Sequence, residues 1–208
     1  MENVRQPFSG GICLMQAAFQ LLPQMKQLQS SSSDILTELF QPDVNLVIWQ
    51  REISQRIRTY AGALSTFADL QLVAEPEELT RLLQNRLPDA EGKAEFIADL
   101  ELLSQMLTCL MDCSAVGVRL KRLEKAMCPR FHTDHVAARL LATYSGPGTE
   151  WHTGTRAQSQ QPYQQIRTGE VALLKGSGWT GNKDGAIWHR SPHTDQPRLL
   201  LSLDPVGE

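Results

Sequence analysis

At 208 residues, with 41% hydrophobic and 21% charged side chains, the chain has an ordinary globular balance and can form one large domain or a helical cap on a smaller β core. No apolar run approaches a membrane span, and no basic run or aromatic–basic interleaving points to nucleic acid. The net charge of −3 is unevenly shared: residues 1–114 carry 8 Lys and Arg against 15 Asp and Glu, whereas residues 115–208 carry 12 against 8. The basic half also holds all five histidines, so a small anionic ligand and a metal are sought there.

In chain order, residues 1–12 read as loosely ordered, and Met1 to Gly11 lacks the basic start and apolar core of a secretory signal, so the expected address is cytoplasmic. The spacing of Leu14, Ala18, Leu21, Leu22 and Met25 predicts a helix over 14–28, bent near Pro23. Ser30 to Ser33 break it and, with Asp34, cap a helix over 34–40 that ends before Pro42. Val44 to Trp49, with three β-branched residues, predicts a strand. Helices are expected over 54–67, with Ser54 as cap, over 75–87, with Pro76 in its first turn, and over 90–112, whose stripe is Phe96, Leu100, Leu103, Leu107 and Leu110. Leu70 to Val73 reads as a brief strand.

From Val116 the period changes to two, and strands are expected over 116–121, 136–144, 169–174, 186–189 and 198–203, with a turn at Ser145 to Gly148. The glutamine-rich stretch Thr153 to Gln165 reads as a loop near the site. Helices first and strands afterwards predict an α+β protein: a mainly helical region over 1–114 packed on a β core over 115–208 that closes into a barrel or jelly roll, the two forming one integrated domain.

The chemistry is expected around Cys128-Pro129-Arg130-Phe131-His132-Thr133-Asp134. On an extended strand His132 and Asp134 point to one face. With His189 from a distant strand they make a 2-His-1-carboxylate set, which holds Fe(II) on one side and leaves the remaining positions open. Arg198, nine residues past His189, is placed to grip a carboxylate through two parallel hydrogen bonds.

The order of these parts over about 116–205 resembles the Fe(II)/2-oxoglutarate dioxygenases of the double-stranded β-helix (jelly-roll or cupin-like) fold. The likeness rests on H-x-D at His132/Asp134, the glycine turn Gly146-Pro147-Gly148, the segment Gly169-Glu170-Val171, the distal His189 and then Arg198. It implies iron held by His132, Asp134 and His189, and 2-oxoglutarate anchored by Arg198 with Ser202 as a further contact. The chain as a whole also resembles a bacterial family, a domain of unknown function associated with zinc-limitation gene clusters. Cys128 to Asp134, Gly146 to Trp151 and His189 to Pro192 carry that likeness, which implies metal homeostasis and makes Zn(II) the rival to Fe(II).

Competing readings stand beside these. The triad and Arg198 can be ordinary polar residues at strand ends, Arg198 then in a surface ion pair. His135, His152 and His193 read as loop or surface residues. Cys128 and His132 form a C-x3-H pair of a kind that binds zinc; four residues of strand would separate their Cα atoms by about 13 Å unless the chain turns at Pro129, and the preferred reading of Cys128 is a buried core thiol. Cys109 and Cys113 share a helical face and are assigned to packing. Four cysteines at this length make no disulfide framework. Trp151, Trp179 and Trp188 are candidate walls of the pocket and equally candidate core residues. No G-x-S-x-G elbow, P-loop or dinucleotide fingerprint is present.

The expectation is therefore a metal-dependent oxygenase that hydroxylates a substrate with 2-oxoglutarate as small-molecule co-substrate. The alternative is a zinc-binding cupin-like protein of metal homeostasis. Oligomeric state and substrate are left open.

Overall fold

The computed structural model describes residues 25–64, 67, 69–153 and 162–207. The first half of this chain runs β1 (Lys26–Ser30), a 3-10 helix (Ser33–Phe40), β2 (Val44–Trp49), α1 (Gln55–Ala63), β3 (Leu70–Ala74), α2 (Pro76–Arg86) and α3 (Lys93–Met111). The second half runs β4 (Ala115–Leu123), β5 (Ala138–Ser145), β6 (Glu150–His152), β7 (Gln164–Gln165), β8 (Val171–Lys175), β9 (Trp188–Arg190) and β10 (Arg198–Val206).

The predicted mixture of helices and strands is present, around one large sheet. Among the described residues seven strands form it, in the order β1-β2-β8-β5-β10-β4-β3, and a smaller sheet has the order β7-β6-β9. From β4 onward the chain alternates between the two. β4, β5, β8 and β10 enter the large sheet, while the His132 bridge, β6, β7 and β9 build the small one. That alternation is what winding a double-stranded β-helix requires. The region 1–114 is not only helical, however: β1, β2 and β3 extend the large sheet at both edges. Local pattern cannot show this, because a strand's partners are distant in sequence.

The two faces of the large sheet bury different things. Along β10, Leu199, Leu201 and Leu203 join the main core beneath the helices, with Leu140, Ala142 and Tyr144 of β5 and Val116, Val118 and Leu120 of β4. The helices contribute Tyr60, Phe96, Leu100, Leu103 and Leu107, each fully buried. Ser54 caps α1 by accepting from the Ile57 amide, and Pro76 opens α2, both as the residue types predict. On the opposite face Leu46, Ile48, Leu141, Ala172, Leu174 and Leu200 pack toward Trp151, Ile166 and Ile187 of the small-sheet layer. With both faces covered, β8 and β10 read as continuous apolar runs rather than alternating ones.

Several expectations change. The predicted helix over 14–28 lies outside the described residues as far as 24, and 26–28 belong to β1, parallel to β2. Gln164 and Gln165, read as loop, form β7; of the rest of that loop, 154–161 lie outside the described residues. Cys109 is exposed and Cys113 lies past the α3 end, donating toward the Ala115 carbonyl, so neither is a core thiol. Among the described residues no helix is long and apolar enough to cross a membrane.

Candidate metal centre

His132, Asp134 and His189 converge: one ligand atom from each lies within 4.8 Å of the other two. The route differs from the predicted strand. Residues 131–137 form a loop in which His132 alone makes a β-bridge, to His189, through two reciprocal backbone bonds of 3.0 Å. That bridge brings the two imidazoles together, with centroids 4.6 Å apart. Asp134 is fixed from behind, where its carbonyl accepts from the Ser177 amide at 2.8 Å and from the Ser177 hydroxyl at 3.2 Å. The loop lies so close to 176–178 that a Cβ on Gly176 would run into the Val136 carbonyl.

Backbone carbonyls set the tautomers. His132 Nδ1 faces the Arg130 carbonyl at 3.0 Å and His189 Nδ1 faces that of Ile187 at 3.3 Å. Each Nδ1 is thus engaged by a carbonyl, which leaves Nε2 as the nitrogen turned toward Asp134 and available to a metal. His189 Nε2 is 3.1 Å from Asp134 Oδ2, and His132 Nε2 is 3.9 Å from Oδ1. Burial alone would raise the Asp134 carboxyl, but the hydrogen bond and charge of His189, with the charges of Arg139 and His132, hold it at about 2. The donor set, two imidazole nitrogens and one carboxylate, fits a divalent transition metal with coordination positions to spare.

Arg198 is 1% exposed, not the surface residue of the competing reading. It opens β10 on the face of Leu200, Ser202 and Asp204, since Leu199, Leu201 and Leu203 face the helices. Gly146 (φ +74°) makes room for it: a Cβ there would press on the Arg198 side chain. One guanidinium nitrogen donates to the Thr149 hydroxyl at 3.3 Å. Among the described residues Nε and Nη1 have no hydrogen-bond partner, and neither does the buried Ser202 hydroxyl. Burial pulls the guanidinium down to about 10, partly offset by the charge of Glu150. A buried cation left this way calls for an anion.

A cavity of about 470 Å³ connects these parts. The three triad residues line it, as do Thr149 and Ser202, with Arg198 just behind Thr149. Cys128, assigned to the core from sequence, lines the cavity and is half-buried. None of the three candidate tryptophans lines it: Trp151 is core, Trp179 packs near Lys175 and Phe40, and Trp188 stacks on His152. His152 is buried in β6 rather than at the surface, whereas His135 and His193 are exposed, as expected.

Sequence reasoning missed Arg139. Its guanidinium bonds Asp134 at 2.7 Å and Asp204 at 2.6 and 2.8 Å, and Asp204 also accepts from Arg119 at 2.6 Å. Burial opposes the Arg139 charge, but Asp204 and Asp134 outweigh it and raise its pKa. The signal was present: on β5 Arg139 precedes the core residues Leu140, Ala142 and Tyr144 by odd steps, which aims it at the cavity.

Solved structures of similar fold come from several kingdoms. The Arabidopsis thaliana dioxygenase for auxin oxidation 1, solved with 2-oxoglutarate, matches at 12% identity and TM-score 0.50, over 88% of this chain and 93% of that one. A Pseudomonas putida prolyl-4-hydroxylase matches at 10% identity and TM-score 0.51, over 84% and 97%. A full-length Neurospora crassa protein, solved in complex with 2-oxoglutarate (alpha-KG) and 5-formyluracil, matches at 9% identity and TM-score 0.51, over 87% and 84%. At these identities the likeness is one of fold, that of the 2-oxoglutarate oxygenases. A search of curated proteins finds no match. Over residues 30–204 the sequence matches a family described as a protein of unknown function, and the chain belongs to that family, DUF1826.

Proposed function

We propose that the protein is an Fe(II)- and 2-oxoglutarate-dependent oxygenase. The observation that carries this reading is the proximity of a His-His-Asp triad that lines the cavity to a buried, under-bonded Arg198, which bonds Thr149 of the same lining. A triad alone binds many metals; a triad facing a carboxylate anchor fits a metal-chelating 2-oxoacid with a second carboxylate. His132 Nε2, His189 Nε2 and one Asp134 oxygen would hold the metal. Arg198 would hold the distal carboxylate, with Thr149 and Ser202 orienting it. Fe(II) with 2-oxoglutarate and oxygen supplies oxidative hydroxylation when bound. The protein's own part is to hold the ligand nitrogens in one tautomer, keep Asp134 ionised and bury the anchor away from water.

Anaerobic titration of the metal-free protein with Fe(II) and then 2-oxoglutarate tests this. A visible charge-transfer band is expected in the wild type and a weakened one in Arg198→Ala. No band in the wild type contradicts the reading.

One observation favours a second reading, zinc binding in metal homeostasis: the Cys128 thiol lines the same cavity. A thiolate favours Zn(II), which has no redox chemistry of its own. Tight Zn(II) binding lost in His132→Ala and weakened in Cys128→Ser, with no Fe(II)–2-oxoglutarate band, would select it.

A further inference from the structure

The triad and Arg198 leave another set of charges in the cavity unused. Among the described residues its walls carry four cations, Arg119, Lys121, Arg139 and Arg190, against one carboxylate, Asp134. Carboxylates just outside the lining serve three of them. Arg190 is paired with Glu150 at 2.6 Å, while Arg119 and Arg139 share Asp204. Lys121 has no such close partner among the described residues: Asp69, half exposed, lies 4.0 Å away, and the Met127 sulfur 3.9 Å away.

Placing the metal and 2-oxoglutarate does not remove the excess. A divalent ion cancels the two charges of the co-substrate, and Arg198 adds one more cation to the same side. Even with Asp69 counted, the five cations exceed Asp134, Asp204, Glu150 and Asp69 by one positive charge. In a partly desolvated cavity that excess favours an anion over a neutral or cationic guest.

The geometry gives the anion a place. Val118 and Leu120 enter the main core, so Arg119 and Lys121 both face the cavity, two residues apart on β4, their Cα atoms about 7 Å apart. A single carboxylate or phosphate can bridge such a pair. Lys121 retains 28% side-chain exposure and Met127 is 49% exposed, which puts them at the mouth. Leu141 and Leu200 line the same cavity and offer contact to a carbon skeleton.

We propose that the substrate is a small organic anion, a carboxylate or a phosphate ester, whose charged group is held by Lys121 with Arg119 at the mouth of the cavity. The proposal rests on the oxygenase reading. The test uses the full chain loaded with Zn(II) and saturated with 2-oxoglutarate, probed by saturation-transfer NMR with benzoate, phenyl phosphate, benzamide and benzylamine. Benzoate, phenyl phosphate or both are expected to bind, and their ratio separates the two anion classes. Benzamide and benzylamine should bind about tenfold more weakly or not at all. Lys121→Gln should weaken the bound anion by about fivefold, and Lys121→Arg should restore it to within about twofold. In Lys121→Gln the Fe(II)–2-oxoglutarate band should stay unchanged, which separates this site from the co-substrate site. Equal binding of benzamide, binding of neither anion, or indifference to Lys121→Gln overturns the proposal. Absence of the band in the wild type contradicts the underlying reading, and the substrate role falls with it whatever the anions do.

Discussion

Two buried charges on opposite faces of the large sheet, Asp99 and Arg198, are treated in opposite ways. Beneath the helices, Asp99 of α3 takes two hydrogen bonds from Arg51, at 2.5 and 2.8 Å, and a third from the Tyr144 hydroxyl at 2.5 Å. Burial works against the Arg51 charge, but Asp99 and Tyr144 raise its pKa; burial and the Asp99 charge push the Tyr144 phenol well up. That cluster ties α3 to β5 and to the turn after β2. On the cavity face Arg198 has one weak hydroxyl partner and the Ser202 hydroxyl none among the described residues. Residues on opposite sides of the same sheet thus serve different ends. A satisfied network holds the fold, and an unsatisfied one waits for a ligand.

If that contrast is right, the largest stability losses lie on the helix face. Asp99→Ala leaves a buried guanidinium and phenol without their acceptor and should cost about 3–5 kcal/mol in urea unfolding. Phe96→Ala, removing a ring packed at 5.2 and 4.8 Å from Tyr60 and Tyr144, should cost a similar 3–5 kcal/mol or so. On the cavity face the loss should appear in binding instead. His189→Ala should weaken metal affinity by roughly 100-fold or more, while the metal-free protein loses at most about 2 kcal/mol, well short of Asp99→Ala.

The pH dependence of the metal-free protein sharpens the contrast further. Asp134 has its pKa depressed from 3.8 to about 2, so its contribution of about 2 kcal/mol is fully present above pH 4 and lost as pH falls through 2. The stability difference between wild type and Asp134→Asn, followed by urea unfolding, should therefore shrink across that window. The smallest effect has the opposite sign. Arg198→Met exchanges an under-bonded buried charge for an apolar side chain and should leave stability unchanged or raise it by about 1 kcal/mol. A loss as large as that of Asp99→Ala would erase the contrast.

The convergence of the three candidate ligands was more legible than the sheet around them. Periodicity located α2, α3, β2, β4 and β10 to within a few residues, because each buries a stripe or a face that the sequence spells out. It did not show that β1, β2 and β3 join the C-terminal strands, since pairing partners are fixed by the whole sheet. His132, Asp134, His189 and Arg198 were singled out because their order and spacing resemble a known chemistry; the first three converge and Arg198 is buried, although the loop carrying the first two was read as a strand. A single β-bridge gives the same side-chain convergence without a strand's length. Cys128 and His152 exchanged expected places. The Cys128 carbonyl accepts from the Ser191 amide at 3.0 Å, which holds the first at the cavity, and pairing of β6 with β9 draws the second inside. Arg139 escaped notice because its role depends on Asp204, 65 residues away.

The most direct test of the central claim, that Arg198 anchors a ligand carboxylate, compares two 2-oxoacids on the Zn(II)-loaded protein by calorimetry. 2-Oxoglutarate and 2-oxopentanoate share the metal-chelating end and the chain length, and only the first carries a second carboxylate. Wild type should prefer 2-oxoglutarate by roughly 100-fold, and Arg198→Met should bind the two alike. Equal affinities in the wild type, or a preference that survives in Arg198→Met, would contradict the account.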